Sequence, residues 1–247
     1  MKTRVLSAPA VAPRRIGGLP ISRLARDICV VLIIAGLLLV LDAAVTLVWK
    51  EPVTAVIATI RRSQIDQQFL SYQTAPLSPV QRHALAALPN TRQRIAFLAR
   101  REQRLLATGD AIGRITIPSI GASLEVVQGV DGASLEEGPG HYSATALPGL
   151  GQTVAIAGHR ATYRAPFRHL DALKPADRIV VQMPYALFTY SVQYRQTVQA
   201  SALWVIRSVG YERLVLSAGN SLLSPGQRTI IFARLESVTP LGPARHA

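Results

Sequence analysis

From Ala111 onward the apolar residues recur with a period of two. The segments IGRITIPSIG, SLEVVQG, TVAIAG, DRIVVQM, FTYSVQY, ALWVIR, RLVLSA and RTIIFARL are short apolar runs divided by Gly, Pro, Asp and Ser turns, as expected of strands with at least one buried face. Strands at this spacing predict a mainly β fold, an eight-stranded closed or nearly closed barrel over residues 111–240. Residues 130–136 and 165–173 are the candidates for short connecting helices, and residues 241–247 form a tail. Upstream the pattern changes. Residues 28–49, ICVVLIIAGLLLVLDAAVTLVW, are apolar at nearly every position and long enough as one helix to cross a hydrocarbon core of about 30 Å. Residues 50–110 are rich in Gln and Arg, broken by Pro76, Pro79 and Pro89, and read as a helical arm. Asn90 or Thr91 caps a helix running to about Thr108, with Ile95, Leu98, Glu102 and Leu105 on one face and Gly109 as its stop.

Charge adds an orientation to this picture. Residues 1–27 carry Lys2, Arg4, Arg14, Arg15, Arg23 and Arg26 against the single acid Asp27, so the positive-inside rule puts this tail in the cytoplasm and residues 50–247 outside. A cleaved signal peptide would have an apolar region of about 7–15 residues ending in small residues, which this span does not. A single-pass anchor in the cell membrane is the expected arrangement. The net charge of +13 is spread along the chain with no nucleic-acid-binding motif beside it, so a basic exterior facing anionic membrane or wall polymer is expected and a nucleic-acid partner is not. The one cysteine, Cys29, rules out an internal disulfide and a cysteine metal cluster. It sits at the start of the apolar span and cannot serve as nucleophile to a domain across a bilayer.

Two stretches bring candidate chemistry: VAIAGHRATYRAPF, which ends a predicted strand at His159, and LVLSAGN followed by QRTIIFARL, in which Arg228 opens the last strand. Together they resemble the two signature regions of sortases, and the resemblance covers residue 112 to about 238. GPGHY at residues 138–142 and the spacing of Phe167, Leu170 and Leu173 are similar to the actinobacterial class E group. The resemblance implies an eight-stranded barrel and a cysteine transpeptidase that cleaves a sorting signal and transfers the acyl group to an amine, commonly a cell-wall precursor, without a cofactor or metal. It carries His159 over as the acid/base residue, Arg228 as the oxyanion stabiliser, and Ala218 and Tyr163 as substrate-contacting positions. His141 and His169 are read as structural.

The departures lie where the chemistry would occur. The family's Thr-Cys pair is Ala218-Gly219 here, and the proline that often follows the asparagine is Ser221. Glycine has no side-chain atom to attack a carbonyl, and the thiolate is the family's nucleophile. Ser217 lies on the same strand face about 6–7 Å away, and Ser221 and Ser224 are expected in the following loop, none in a serine-hydrolase elbow. The leading expectation is a membrane-anchored pseudosortase that binds sorting-signal peptides or pairs with an active sortase. Two alternatives stay open: an active transpeptidase, through a serine or a variant residue at 219, and a structural envelope protein that uses only the barrel.

Overall fold

The computed structural model describes residues 26, 28–41, 77–163, 165–221 and 224–245, and the chain divides into two compact units, Met1–Val56 and Ile57–Ala247. The first contains a helix, α1, over residues 28–41, with apolar side chains such as Val31, Leu37 and Leu39 exposed. The basic tail up to residue 25, the rest of the expected anchor (residues 42–49) and the start of the arm (residues 50–76) lie outside the described residues. Among the described residues no helix is long and apolar enough to cross a membrane.

The second unit starts with two helices, α2 (Pro79–Ala86) and α3 (Thr91–Leu105). Both begin at side-chain caps. Ser78 and Gln81 form a reciprocal capping box on α2, and Asn90 accepts from the Gln93 amide at 2.9 Å on α3. The α3 face of Ile95, Leu98 and Ala99 joins the same core as the strands that follow, which is where most of a short helix's stability comes from. The helix is shorter than the sequence predicts. Leu106 leaves it with extended backbone, and Leu105, expected on the apolar face, is exposed.

The strands are β1 (Ala111–Ile117), β2 (Ala122–Gln128), β3 (Gly140–His141), β4 (Thr153–Gly158), β5 (Arg178–Gln182), β6 (Ala186–Gln199), β7 (Arg213–Ser221) and β8 (Ser224–Pro240), with helix α4 (Gly132–Glu137) between β2 and β3. They close into a barrel in the order β1-β2-β3-β4-β7-β8-β6-β5. The mainly β, eight-stranded expectation is met, but one member of the set differs. The run at residues 202–207 is a 3-10 turn, Leu203–Ile206, whose Leu203 and Trp204 are exposed while Val205 docks. The eighth strand is the two-residue β3, too short to leave a period in the sequence. Residues 165–173 hold only a 3-10 turn, Leu170–Ala172. Ser221 and Ser224 end β7 and begin β8 rather than lying in a loop.

Pairing positions the site. β4 and β7 run parallel, from Thr153–Arg213 to Gly158–Ala218, and β7 pairs antiparallel with β8, bringing Gly219 opposite Arg228. β6 flanks β8 on its other side and puts Val198 beside Arg228. Alternate residues of β7 face opposite ways. Leu214, Leu216 and Ala218 fill the barrel, whereas Val215 joins Ala155, Ile230, Phe232 and Val205 in a second cluster on the outer face. That outer cluster lies beneath the connection between β6 and β7. Arg213 pins the connection: its guanidinium donates to the carbonyls of Val205 (2.8 Å) and Arg207 (3.0 Å) and to Thr153 Oγ1 (3.2 Å), and it lies over the Phe232 ring.

At the opposite end of these strands Glu212 ties down the turn before β4. Its carboxylate accepts from the amides of Gly149 and Gly151 and from the Tyr190 hydroxyl. Burial raises its pKa, while those hydrogen bonds and the nearby Arg92 work the other way. Gly149 and Gly151 have positive φ, which lets the backbone turn both amides onto one carboxylate.

Candidate functional site

The end of β4 delivers His159, and the reason it does so is visible in the preceding residue. A Cβ on Gly158 would stand 2.5 Å from the Phe167 ring, so only glycine allows the returning loop to pack there. The Phe167 amide then donates to the His159 carbonyl at 3.0 Å and holds the strand end. One residue beyond the Gly158–Ala218 pair, the two neighbouring chains carry His159 and Gly219. The imidazole Nδ1 lies 3.2 Å from Thr162 Oγ1, and its ring is tilted against Tyr163 with centroids 4.9 Å apart.

Arg228 sits across from Gly219, half-buried, and donates to the Tyr142 hydroxyl at 3.4 Å. His159, Gly219 and Arg228 therefore come together from three adjacent strands. A Cβ on Gly219 would meet nothing within 4 Å, and its φ is not positive. Neither backbone nor space requires a glycine at this position.

The other predicted positions fall differently. Ala218 is buried in the barrel core on the face away from Gly219. This corrects its reading as a substrate contact, since strand alternation turns its methyl inward. Tyr163 is half-exposed beside His159, and a hydrogen bond to the Glu136 carboxylate, with the charge of that group, raises its phenol pKa. Ser217 is buried, its Oγ has no hydrogen-bond partner among the described residues, and it pairs with Ala157 rather than lying beside His159. His141 is fully buried, with Nε2 3.1 Å from the Ala146 carbonyl and Nδ1 2.8 Å from Gln128 Oε1; burial lowers its pKa to about 4. His169 is exposed. Among the described residues no group of His, Cys, Asp and Glu could hold a metal ion.

Two residues at the site were quoted in motifs but given no role from sequence. Tyr142 closes GPGHY and partners Arg228. Arg160, the last residue of AIAGHR, bridges Asp171 at 2.7 Å and donates to Thr229 at 3.3 Å. It thereby ties the loop after β4 to the strand that carries Arg228. In a linear sequence only an Arg adjoining the His hints at this; the partners come from folding.

Comparisons with known proteins concern the fold and the family. The family profile described as the sortase domain matches residues 115–236. Sortase D of Bacillus subtilis is 36% identical over 85 residues, covering 34% of this chain and 41% of that protein, and sortase SrtE1 of Streptomyces coelicolor is 31% identical over 91 residues, covering 34% and 26%. The match thus spans less than half the length of these curated relatives. Among solved structures, sortase E from Streptomyces avermitilis aligns at 30% identity and a TM-score of 0.50, over 54% of this chain and 93% of that one. Sortase E1 from Streptomyces coelicolor, solved with a tripeptide in its active site, shares the fold at 22% identity and a TM-score of 0.51, over 55% and 93%. The sortase-domain match and the 30% identity to sortase E over 93% of its chain show that the chain belongs to the sortase family.

Proposed function

We propose that this protein is a membrane-anchored sortase-family member of the cell envelope that binds sorting-signal peptides and does not transfer them. The observation that carries this reading is Gly219, which stands between His159 and Arg228 without a side chain. A cysteine transpeptidase needs a sulfur there to form the acyl-enzyme. His159 as acid/base and Arg228 as oxyanion donor have no intermediate to act on without it. His159 and Arg228, which flank the vacated position, are both retained, and binding a peptide without transferring it needs no nucleophile. The tripeptide in the active site of the Streptomyces coelicolor relative supports a peptide as ligand. The basic tail and apolar span support a cytoplasmic N-terminus and an extracytoplasmic barrel, and a partnership with an active sortase fits the same location.

The test compares wild type, Gly219→Cys, and Gly219→Cys with His159→Ala, each mixed with a Leu-Pro-x-Thr-Gly or Leu-Ala-x-Thr-Gly peptide. Wild type is expected to bind peptide without turnover. Gly219→Cys is expected to form a thioester detectable by intact mass, and the double variant to form it at least about 10²-fold more slowly. Turnover by wild type that disappears in Ser217→Ala would establish the active-serine alternative instead.

A further inference from the structure

We propose that the space above Gly219 is a carboxylate site, so that the preferred ligand is a peptide ending in a free α-carboxylate, the acid product of a cleaved sorting signal, rather than the intact signal. The inference rests on the peptide-binding reading and concerns which peptide. Its starting point is the charge of Arg228. A guanidinium is permanently protonated, and a half-buried cation is ordinarily paired. Other arginines withdrawn from solvent are compensated: Arg160 at this end of the barrel by Asp171, and Arg213 at the far end of β7 by two carbonyls and a hydroxyl. Arg228 has only the neutral Tyr142 hydroxyl at a long 3.4 Å, and no acidic partner among the described residues. The acids that approach this end of the barrel are engaged elsewhere, Asp171 with Arg160 and Glu136 with the Tyr163 phenol.

Gly219 supplies the second half. It pairs directly with Arg228, a Cβ there would meet nothing within 4 Å, and its backbone conformation is open to any residue. The result is a cation with no acidic partner among the described residues, facing a gap with His159 on its other side. A carboxylate matches the planar fork of a guanidinium and gains charge-assisted hydrogen bonds, roughly twice as strong as those to the neutral carbonyl of an uncleaved peptide. In a chain with a side chain at this position, that side chain would take part of the gap. Here the terminal carboxylate of the ligand fills it.

The experiment titrates the full chain calorimetrically with three peptides built on each of Leu-Pro-Ala-Thr and Leu-Ala-Ala-Thr: the free acid, the C-terminal carboxamide, and the form continuing into Gly-Gly-amide. The acid is expected to bind at least about tenfold more tightly than the other two, and its advantage to shrink with added salt. Arg228→Gln should bring the acid down to the carboxamide's affinity. Gly219→Asp, which puts a carboxylate of the protein's own in the gap, should weaken the acid selectively. Equal binding of all three forms, tighter binding of the continuing form, or an acid preference that survives Arg228→Gln each overturns the inference and leaves peptide binding standing. No binding of any peptide, with circular dichroism showing a folded barrel, overturns the peptide-binding reading and this inference with it.

Discussion

Two glycines at the ends of neighbouring strands show how differently the same residue is constrained. Gly158 lies under the Phe167 ring, whereas Gly219 faces open space. Gly158→Ala is therefore expected to cost about 1–3 kcal/mol by forcing the ring out of its packing, and Gly219→Ala to stay within about 0.5 kcal/mol of wild type. Urea unfolding of the two variants checks both, and a large loss at Gly219 would mean that the glycine has a structural duty. His141 carries a pH dependence. Its folded pKa of about 4 lies below the ordinary 6.5 because burial penalises the charged ring, so the unfolded chain binds more protons between those values. The stability is fully present above pH 6.5 and is lost as pH falls toward 4, by up to about 3 kcal/mol. Glu212 and Glu102, whose pKa values burial raises, act in the opposite direction over the acid range. The measurement is consequently the slope of stability against pH in wild type and in His141→Gln. The variant should lose the acid-side fall; an unchanged slope would sink the assignment.

Among the elements, the connection between β6 and β7 covers the outer apolar cluster of β4, β7 and β8, and Arg213 fastens it. Arg213→Met keeps the length of the side chain but removes the guanidinium donor from the Val205 carbonyl and one of two donors from the Arg207 carbonyl, which keeps the Thr153 hydroxyl. A loss of about 2–3 kcal/mol is expected, with faster hydrogen exchange across residues 200–212 than in β7. Exchange that rises equally throughout the barrel would point to general destabilisation. This connection is also where sequence was hardest to read. ALWVIR has the apolar content of a strand, but only Val205 is buried among strand residues, while Leu203 and Trp204 project outward. Composition cannot separate a docked turn from a strand when the docking partner, the Val215–Phe232 surface, lies on other strands. Apart from the two-residue β3, the other strands are legible as short apolar runs because each buries residues in the barrel core. His159, Gly219 and Arg228 were legible because strand ends flanked by specific motifs fix them. Tyr142 and Arg160 were not given roles, since their partners are distant in sequence.

At the scale of the molecule, charge and hydropathy predict an anchor before the barrel. If residues 50–247 lie outside the cytoplasm, protease added to intact protoplasts should digest the barrel while sparing cytoplasmic markers; protection of the barrel would reverse the topology. The barrel order has a consequence of its own. β7 lies between β4 and β8 in the barrel, and parallel pairing with β4 makes it wait for the long excursion through β5 and β6 to be completed. Until it slots in, β4 and β8 each present an open edge, and His159 and Arg228 have nothing between them. The candidate site thus has no existence apart from the sealed cylinder. Exchange protection of the Leu216 and Ala218 amides would clock how long the binding surface survives, and conditions that shorten it would leave an adhesive strand edge where a receptor had been.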